Sequence, residues 1–224
     1  MVLLSGGMDS ATCLGLALRE EDEVWTVSFD YGQRHAIELA AAHAVAAHWG
    51  IAPERRLVVP LDHVFSGSAL TGHADVPLAR SQGEIGQDVP ITYVPARNLV
   101  FLSIATALAE PLDVQALFIG ANALDYSGYP DCRPAFLDAF ARTAQLGTRS
   151  GIEGSGLVVR APLLQMRKRE IVLLGHELGV PFALTHSCYL GLRPACGQCD
   201  ACQLRRKGFA EAGLTDPLPY ASNA

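Results

Sequence analysis

Long hydrophobic runs are missing from this chain of 224 residues, and so is any excess of positive charge. No stretch approaches the ~20 apolar residues that a membrane-crossing helix needs, and no basic region precedes an apolar one at the start, so neither a membrane span nor a secretory leader is expected. The cytoplasm is the expected compartment. Lysine and arginine total 17 against 23 acidic residues, a net charge of −6. That balance argues against a broad grip on nucleic acid while leaving room for a local anion site. Internal repeats and low-complexity tracts are absent as well. One further absence is specific: the loop SGGMDS at 5–10 is rich in glycine, yet it lacks the lysine and the GxxxxGK[ST] spacing of a P-loop.

What is present suits one sizeable α/β domain with a small appendage, with half of the residues hydrophobic. VLL before the glycines reads as a buried strand and ATCLGLALR after them as a helix. EVWTVSFDY and RRLVVPL read as the second and third strands, with a helix over about 35–49 between them whose apolar face carries Ile37, Ala41, Ala44, Val45 and Trp49. This alternation predicts a Rossmann-like, mostly parallel sheet flanked by helices, with ligands gathered at the carboxyl ends of its strands. Residues 66–90 interrupt the rhythm and are expected to form an exposed excursion or lid. Asn98 is expected to cap LVFLSIATALA, a helix apolar nearly all round and therefore central. VQALFIG and GLVVRAPL supply further strands, Pro134 opens a helix that Gly147 stops, and a helix over 168–178 ends at Gly179. Residues 1–180 are expected to form the nucleotide-binding α/β domain and 181–224 a small zinc-binding subdomain, with a short helix around 203–212.

A strand, then Ser-Gly-Gly, then a helix beginning near Asp9 directs several backbone N–H groups toward one point, a ready anion site. Ser5 and Ser10 can add hydroxyl donors, and Asp9 could cap the helix or reach a magnesium ion. Without the lysine that serves β and γ phosphates, such a loop suits attack at the α phosphorus, with pyrophosphate leaving. Taken alone, SGG equally suits a tight turn with a serine cap. Cations also stand where a helix dipole disfavours them: Arg167, Lys168 and Arg169 open the late helix. Either they are solvated neighbours of Glu170, or one of them, Lys168 by preference, reaches a bound phosphate.

Of the six cysteines, Cys188, Cys196, Cys199 and Cys202 fall within fifteen residues, while Cys13 and Cys132 stand apart. Clustered thiols in a chain read as cytosolic point to metal rather than disulfides. Four thiolates with two x2 spacings fit a closed, structural zinc site, and the x7 first gap departs from the ferredoxin run that an iron–sulfur cluster would favour. The cations of LRRKGF that follow either line a cleft or face water.

SGGMDS (5–10) resembles the pyrophosphate-binding loop of the N-type ATP pyrophosphatases, the PP-loop superfamily. Within it, SFDYGQRHAIEL (28–39), GSALT (67–71), VPARN (94–98), DYSGYPDCR (125–133) and CGQCDAC (196–202) resemble the 7-cyano-7-deazaguanine (preQ0) synthase family, a likeness running to about residue 217. The resemblance implies an ATP-dependent ligase acting on 7-carboxy-7-deazaguanine and free ammonia in queuosine biosynthesis. One site would adenylate the carboxylate, form the amide, then activate the amide oxygen so that its loss leaves the nitrile. It also implies a homodimer with one structural zinc per chain. Carried onto this sequence, Leu4, Ser5, Gly6, Gly7, Met8, Asp9 and Ser10 would hold ATP with magnesium, Lys168 would contact phosphate, and Asp30 and Gln33 would border the adenosine. Arg97, Asp125, Tyr126, Asp131 and Arg133 would hold the deazaguanine acid, with Asp9, Ser10, Lys168 and Arg97 as the catalytic set. Arg167 stands where the family has a small polar residue, and the strand ahead of the loop is shorter than is usual.

Two rival readings remain open. A tRNA thiolase or lysidine-type ligase of the same superfamily would need a basic surface or an added RNA-binding module. A zinc-organised binding protein without catalysis would leave SGGMDS and the misplaced cations unexplained.

Overall fold

Alternate residues of the first strand, β1 (Val2–Leu3), enter different apolar clusters, as a pleated strand covered on both faces requires. The computed structural model describes residues 1–32, 37–72, 75–80, 89–124 and 129–221. It places β1 in the middle of a five-stranded sheet with β2 (Thr26–Asp30), β3 (Arg56–Pro60), β4 (Ala116–Ile119) and β5 (Val158–Arg160). The order is β3-β2-β1-β4-β5 and every pairing is parallel. The chain winds outward from β1 to β3, then crosses back to lay β4 beside β1. Such a reversal leaves a crevice at the carboxyl ends of these two strands, and SGGMDS begins there.

Seven α-helices occupy the described residues: α1 (Met8–Glu20), α2 (Ile37–His48), α3 (Arg97–Ala109), α4 (Pro134–Gly147), α5 (Arg149–Ile152), α6 (Lys168–Glu177) and α7 (Asp200–Ala212). One cluster joins Leu14 of α1, Val45 of α2, Ile171 of α6 and Phe209 of α7 to Val2 and Phe118. The other joins Leu102 of α3 and Leu137 and Phe140 of α4 to Leu3 and Leu117, and takes in Cys188, Cys199 and Cys202. The α/β class read from the sequence is the architecture observed.

Four local expectations change. Asn98 does not cap α3: the N-cap is Ala96, in the left-handed region at φ 56°, and Asn98 sits one residue inside the helix. Its own N–H is capped instead by Asp131 Oδ2 at 2.9 Å. Nor is α3 buried all round, because Leu99 is 44% exposed and Ser103 is open while Leu102, Ala105 and Ala109 are covered. Further, the described parts of 66–90 are exposed only in part: Ser66, Gly67, Asp75, Leu78, Ala79 and Val89 are open. Ser68, Ala69, Leu70 and Val76 are buried, Ala79 N donates to Gln198 O at 2.9 Å, and Arg80 pairs with Asp200. This segment is a strap tied down onto the start of α7. Helix α7 itself begins earlier than expected, at Asp200, because Cys199 takes the extended N-cap conformation.

Candidate active site and metal centre

After β1, the chain turns through Ser5-Gly6-Gly7 into α1. Ser5 N and Ser5 Oγ both donate to Ser10 Oγ, at 3.2 and 3.0 Å, and Ser10 Oγ donates to Gly7 O at 3.0 Å. The two hydroxyls therefore brace the loop. Gly7 is the N-cap and no side chain caps α1, so the serine-cap reading of SGG does not hold and the helix presents its first N–H groups to the crevice. Gly6 is required twice over. Its φ is +82°, and a Cβ there would meet Glu38 O at 2.4 Å and Ala42 N at 2.6 Å, so α2 packs directly on the loop.

The cation missing from the loop arrives from α6. Lys168 Nζ donates to Asp9 Oδ1 and Oδ2 at 3.1 and 2.8 Å across 159 residues of sequence, with the lysine side chain 8% exposed and the aspartate 25%. Arg167 and Arg169 are both exposed, and Arg167 N donates to Glu170 Oε2 at 2.6 Å. Of the three neighbouring cations, only Lys168 turns inward. It fits because Gly208 of α7 has no side chain: a Cβ there would meet Lys168 Cγ at 2.6 Å.

Loop and lysine border a cavity of about 260 Å³ that also reaches Leu4, Met8, Glu38, Arg97, Cys132, His186 and Arg205. Arg97 stands at the first position of α3, facing Tyr31, Tyr129, Cys132 and Asp131. Burial works against its charge, but these neighbours outweigh it and raise its pKa, so it is a permanent cation. Burial also pushes the Cys132 thiol up to about 11, and this holds it as a neutral SH that receives Asn98 Nδ2 at 3.3 Å. That is the opposite of an activated nucleophile.

The remaining candidates fall differently. Asp131 is 7% exposed, and its side chain and carbonyl receive Asn98 N and Asn98 Nδ2 at 2.9 and 3.1 Å. Arg133 is exposed and serves as the N-cap of α4. Asp30 ends β2, where its carbonyl receives Leu61 N at 2.6 Å. None of these three lines the cavity. Gln33, Asp125 and Tyr126 lie outside the described residues.

Several lining residues were not singled out from sequence. Glu38 lies in the first turn of α2, just past the carboxyl end of β2, where the strand-end rule could have found it. Burial raises its pKa, opposed by Arg97 and His186. His186 is 1% exposed with neither ring nitrogen hydrogen-bonded, while its N–H donates to Gly6 O at 2.9 Å. Arg205, one of the LRRKGF cations, does not face water: at 1% exposure it forks onto Asp216 and donates to Thr185 Oγ1 at 2.7 Å and Phe182 O at 3.0 Å. Only its tertiary partners distinguish it from the exposed Arg206 beside it.

The cysteine cluster is a separate centre. The sulfurs of Cys188, Cys196, Cys199 and Cys202 all lie within 4.8 Å of one another, with Cys196 and Cys202 at 3.9 Å. Tetrahedral ligation at the usual Zn–S length requires about 3.8 Å between sulfurs, so the group fits a single zinc ion. The ligands of an iron–sulfur cube stand farther apart, at its outer corners. Backbone N–H groups of Cys196 and Cys199 point at Cys188 Sγ and Cys196 Sγ at 3.4 and 3.3 Å. Donation from Cys199 and Cys202 drives the Cys188 thiol far below its ordinary range, and both donors are driven up.

The model of the family described as queuosine biosynthesis protein QueC matches residues 1–213. A 7-cyano-7-deazaguanine synthase of Anaeromyxobacter dehalogenans (strain 2CP-C) is 56% identical over 223 residues, covering 99% of this chain and 95% of that one. One from Geotalea daltonii is 54% identical over 227 residues, covering 99% and 96%. The Nostoc sp. (strain PCC 7120) enzyme is 50% identical over 222 residues, also covering 99% and 96%. Matched from its first residue through the cysteine cluster, the chain belongs to the QueC family of the PP-loop superfamily.

Proposed function

We infer that this protein is an ATP-dependent carbon–nitrogen ligase that converts 7-carboxy-7-deazaguanine and ammonia to 7-cyano-7-deazaguanine, releasing AMP and pyrophosphate. The observation that carries the reading is one cavity holding an uncapped helix terminus, a buried lysine–aspartate pair and a permanent arginine cation. A carboxylate is a poor electrophile until one oxygen is joined to AMP. That transfer needs donors for the departing pyrophosphate and a grip on the acid.

The N–H groups at the start of α1, with Ser5 and Ser10, bind the leaving pyrophosphate. Lys168, now held by Asp9, is the cation within reach of the phosphates, and Asp9 would hold a magnesium ion that shields their charge. Arg97 supplies a planar fork for the carboxylate. Ammonia then displaces AMP to give the amide, and a second ATP activates the amide oxygen for the loss that leaves the nitrile. The loop, Lys168 and Arg97 lie within residues 1–180, while His186 and Arg205 of 181–224 close the same cavity; the four cysteines would hold a structural zinc at the start of α7, whose Gly208 backs Lys168. Assembly as a homodimer is carried over from the family likeness alone. The net charge of −6 favours a small-molecule acid over tRNA as the substrate. No helix among the described residues is long and apolar enough to cross a membrane.

Incubating zinc-loaded protein with ATP, magnesium, the deazaguanine acid and ¹⁵N-ammonia tests the reading. Mass spectrometry should find labelled nitrile with two AMP formed for each. Hydrolysis of ATP without labelled product would refute it.

A further inference from the structure

A nitrogen that begins as ammonia and ends as a nitrile loses three protons, so the reaction inferred above needs a base beside the reacting carbon. Among the described residues, only Asp9 and Glu38 bring carboxylates to the cavity wall. Asp9 is held by Lys168 at the phosphate end. Lys168, Arg97 and Arg205 are cations and cannot accept. Burial raises the pKa of Tyr31 and that of the Cys132 thiol, so both keep their protons.

Glu38 is differently placed. Its backbone lies against the glycine loop, where a Cβ on Gly6 would meet its carbonyl at 2.4 Å. Its side chain lines the same cavity as Arg97 and is close enough for that guanidinium to act on it. Its side chain therefore shares one cavity with the loop that would hold the phosphates and the arginine that would hold the acid. We propose that Glu38 is the general base that takes protons from the reacting nitrogen. In the first stage the ammonia lone pair forms the C–N bond, the C–O bond to AMP breaks, and one N–H proton passes to the Glu38 carboxylate. In the second, two more N–H protons pass to it in turn as the second C–O bond to AMP breaks and the C≡N bond forms. Glu38 returns each proton to water before taking the next. The desolvation that raises its affinity for protons makes it a stronger base than an exposed glutamate.

This inference rests on the ligase reading, and the half-reactions separate the two. Adenylation of the acid requires no N–H proton to leave. Glu38→Gln should keep acid-dependent ATP–pyrophosphate exchange within about threefold of the unmodified protein, while amide and nitrile formation fall at least about 100-fold. Formate added to Glu38→Ala should restore part of the nitrogen chemistry, which a merely structural glutamate would not allow. If E38Q loses zinc and fails to fold, the formate rescue decides. Nitrile formation at the unmodified rate in E38Q, an equal loss of exchange and nitrile, or E38A without rescue would each overturn the proposal. The same split produced by His186→Gln, with E38Q active, would move the role to His186. Absence of exchange in the unmodified protein would instead defeat the ligase reading itself.

Discussion

In the cysteine knuckle all four ligands come from fifteen consecutive residues, three of them are buried, and the sulfurs face one another. The glycine loop is built the other way. Its helix terminus carries no side-chain cap, its hydroxyls face a cavity, and its cation comes from 159 residues away. The first site is complete once a metal enters and has no position left for a substrate; the second is left unfinished by the protein so that a substrate can finish it. On the reading proposed above, the difference separates a centre that holds the fold from one that performs chemistry, although α7 serves both: it begins at the knuckle and its Gly208 makes room for Lys168.

Breaking the closed centre should have the largest effect. Cys199→Ser, or removal of zinc by a chelator, should cost most or all of the folding free energy, since structural zinc binding is worth about 10–16 kcal/mol in small zinc domains; thermal unfolding followed alongside zinc content checks this. Arg205→Met strikes the connection between the centres. It takes the counter-cation from Asp216, whose side chain is 8% exposed and keeps only Leu218 N and Tyr220 OH as donors, and should destabilise by about 3–5 kcal/mol in denaturant titration. Gly6→Ala should cost at least about 1–2 kcal/mol from the left-handed backbone alone, and more from the contact with α2, with activity falling along with stability. Lys168→Ala should sharpen the contrast: turnover lower by about 10²–10³-fold, with zinc retained and a loss of stability smaller than that of Arg205→Met, because Asp9 is 25% exposed and water can take over its carboxylate. Arg167→Ala, at an exposed position beside it, should alter turnover by less than about twofold, which assays of the two variants side by side would reveal.

The sheet was legible because VLL, TVSFD and ALFI are short apolar strands separated by helical periods. The knuckle was legible because its ligands are close in sequence. Lys168 could be suspected from its position against the helix dipole, but its selection over Arg167 and Arg169 depends on Gly208, which no local pattern links to it. Asn98 misled for a related reason: it is a good capping residue, yet the capping group is the buried carboxylate of Asp131, 33 residues away. Glu38 and His186 carry no local signature, and the LRRKGF run that points to a cleft does not say that Arg205 rather than Arg206 turns into it. Their roles arise from the crevice that the β1–β4 junction creates, and tertiary packing rather than spacing decides which polar side chains line it.

The central claim is that the open site transfers AMP to a carboxylate. Zinc-replete protein given ATP, magnesium, labelled pyrophosphate and 7-carboxy-7-deazaguanine, with ammonia withheld, tests it most directly. Label should pass into ATP only when the acid is present, and the exchange should be lost in Lys168→Ala. Folded, zinc-loaded protein that supports no acid-dependent exchange would contradict it.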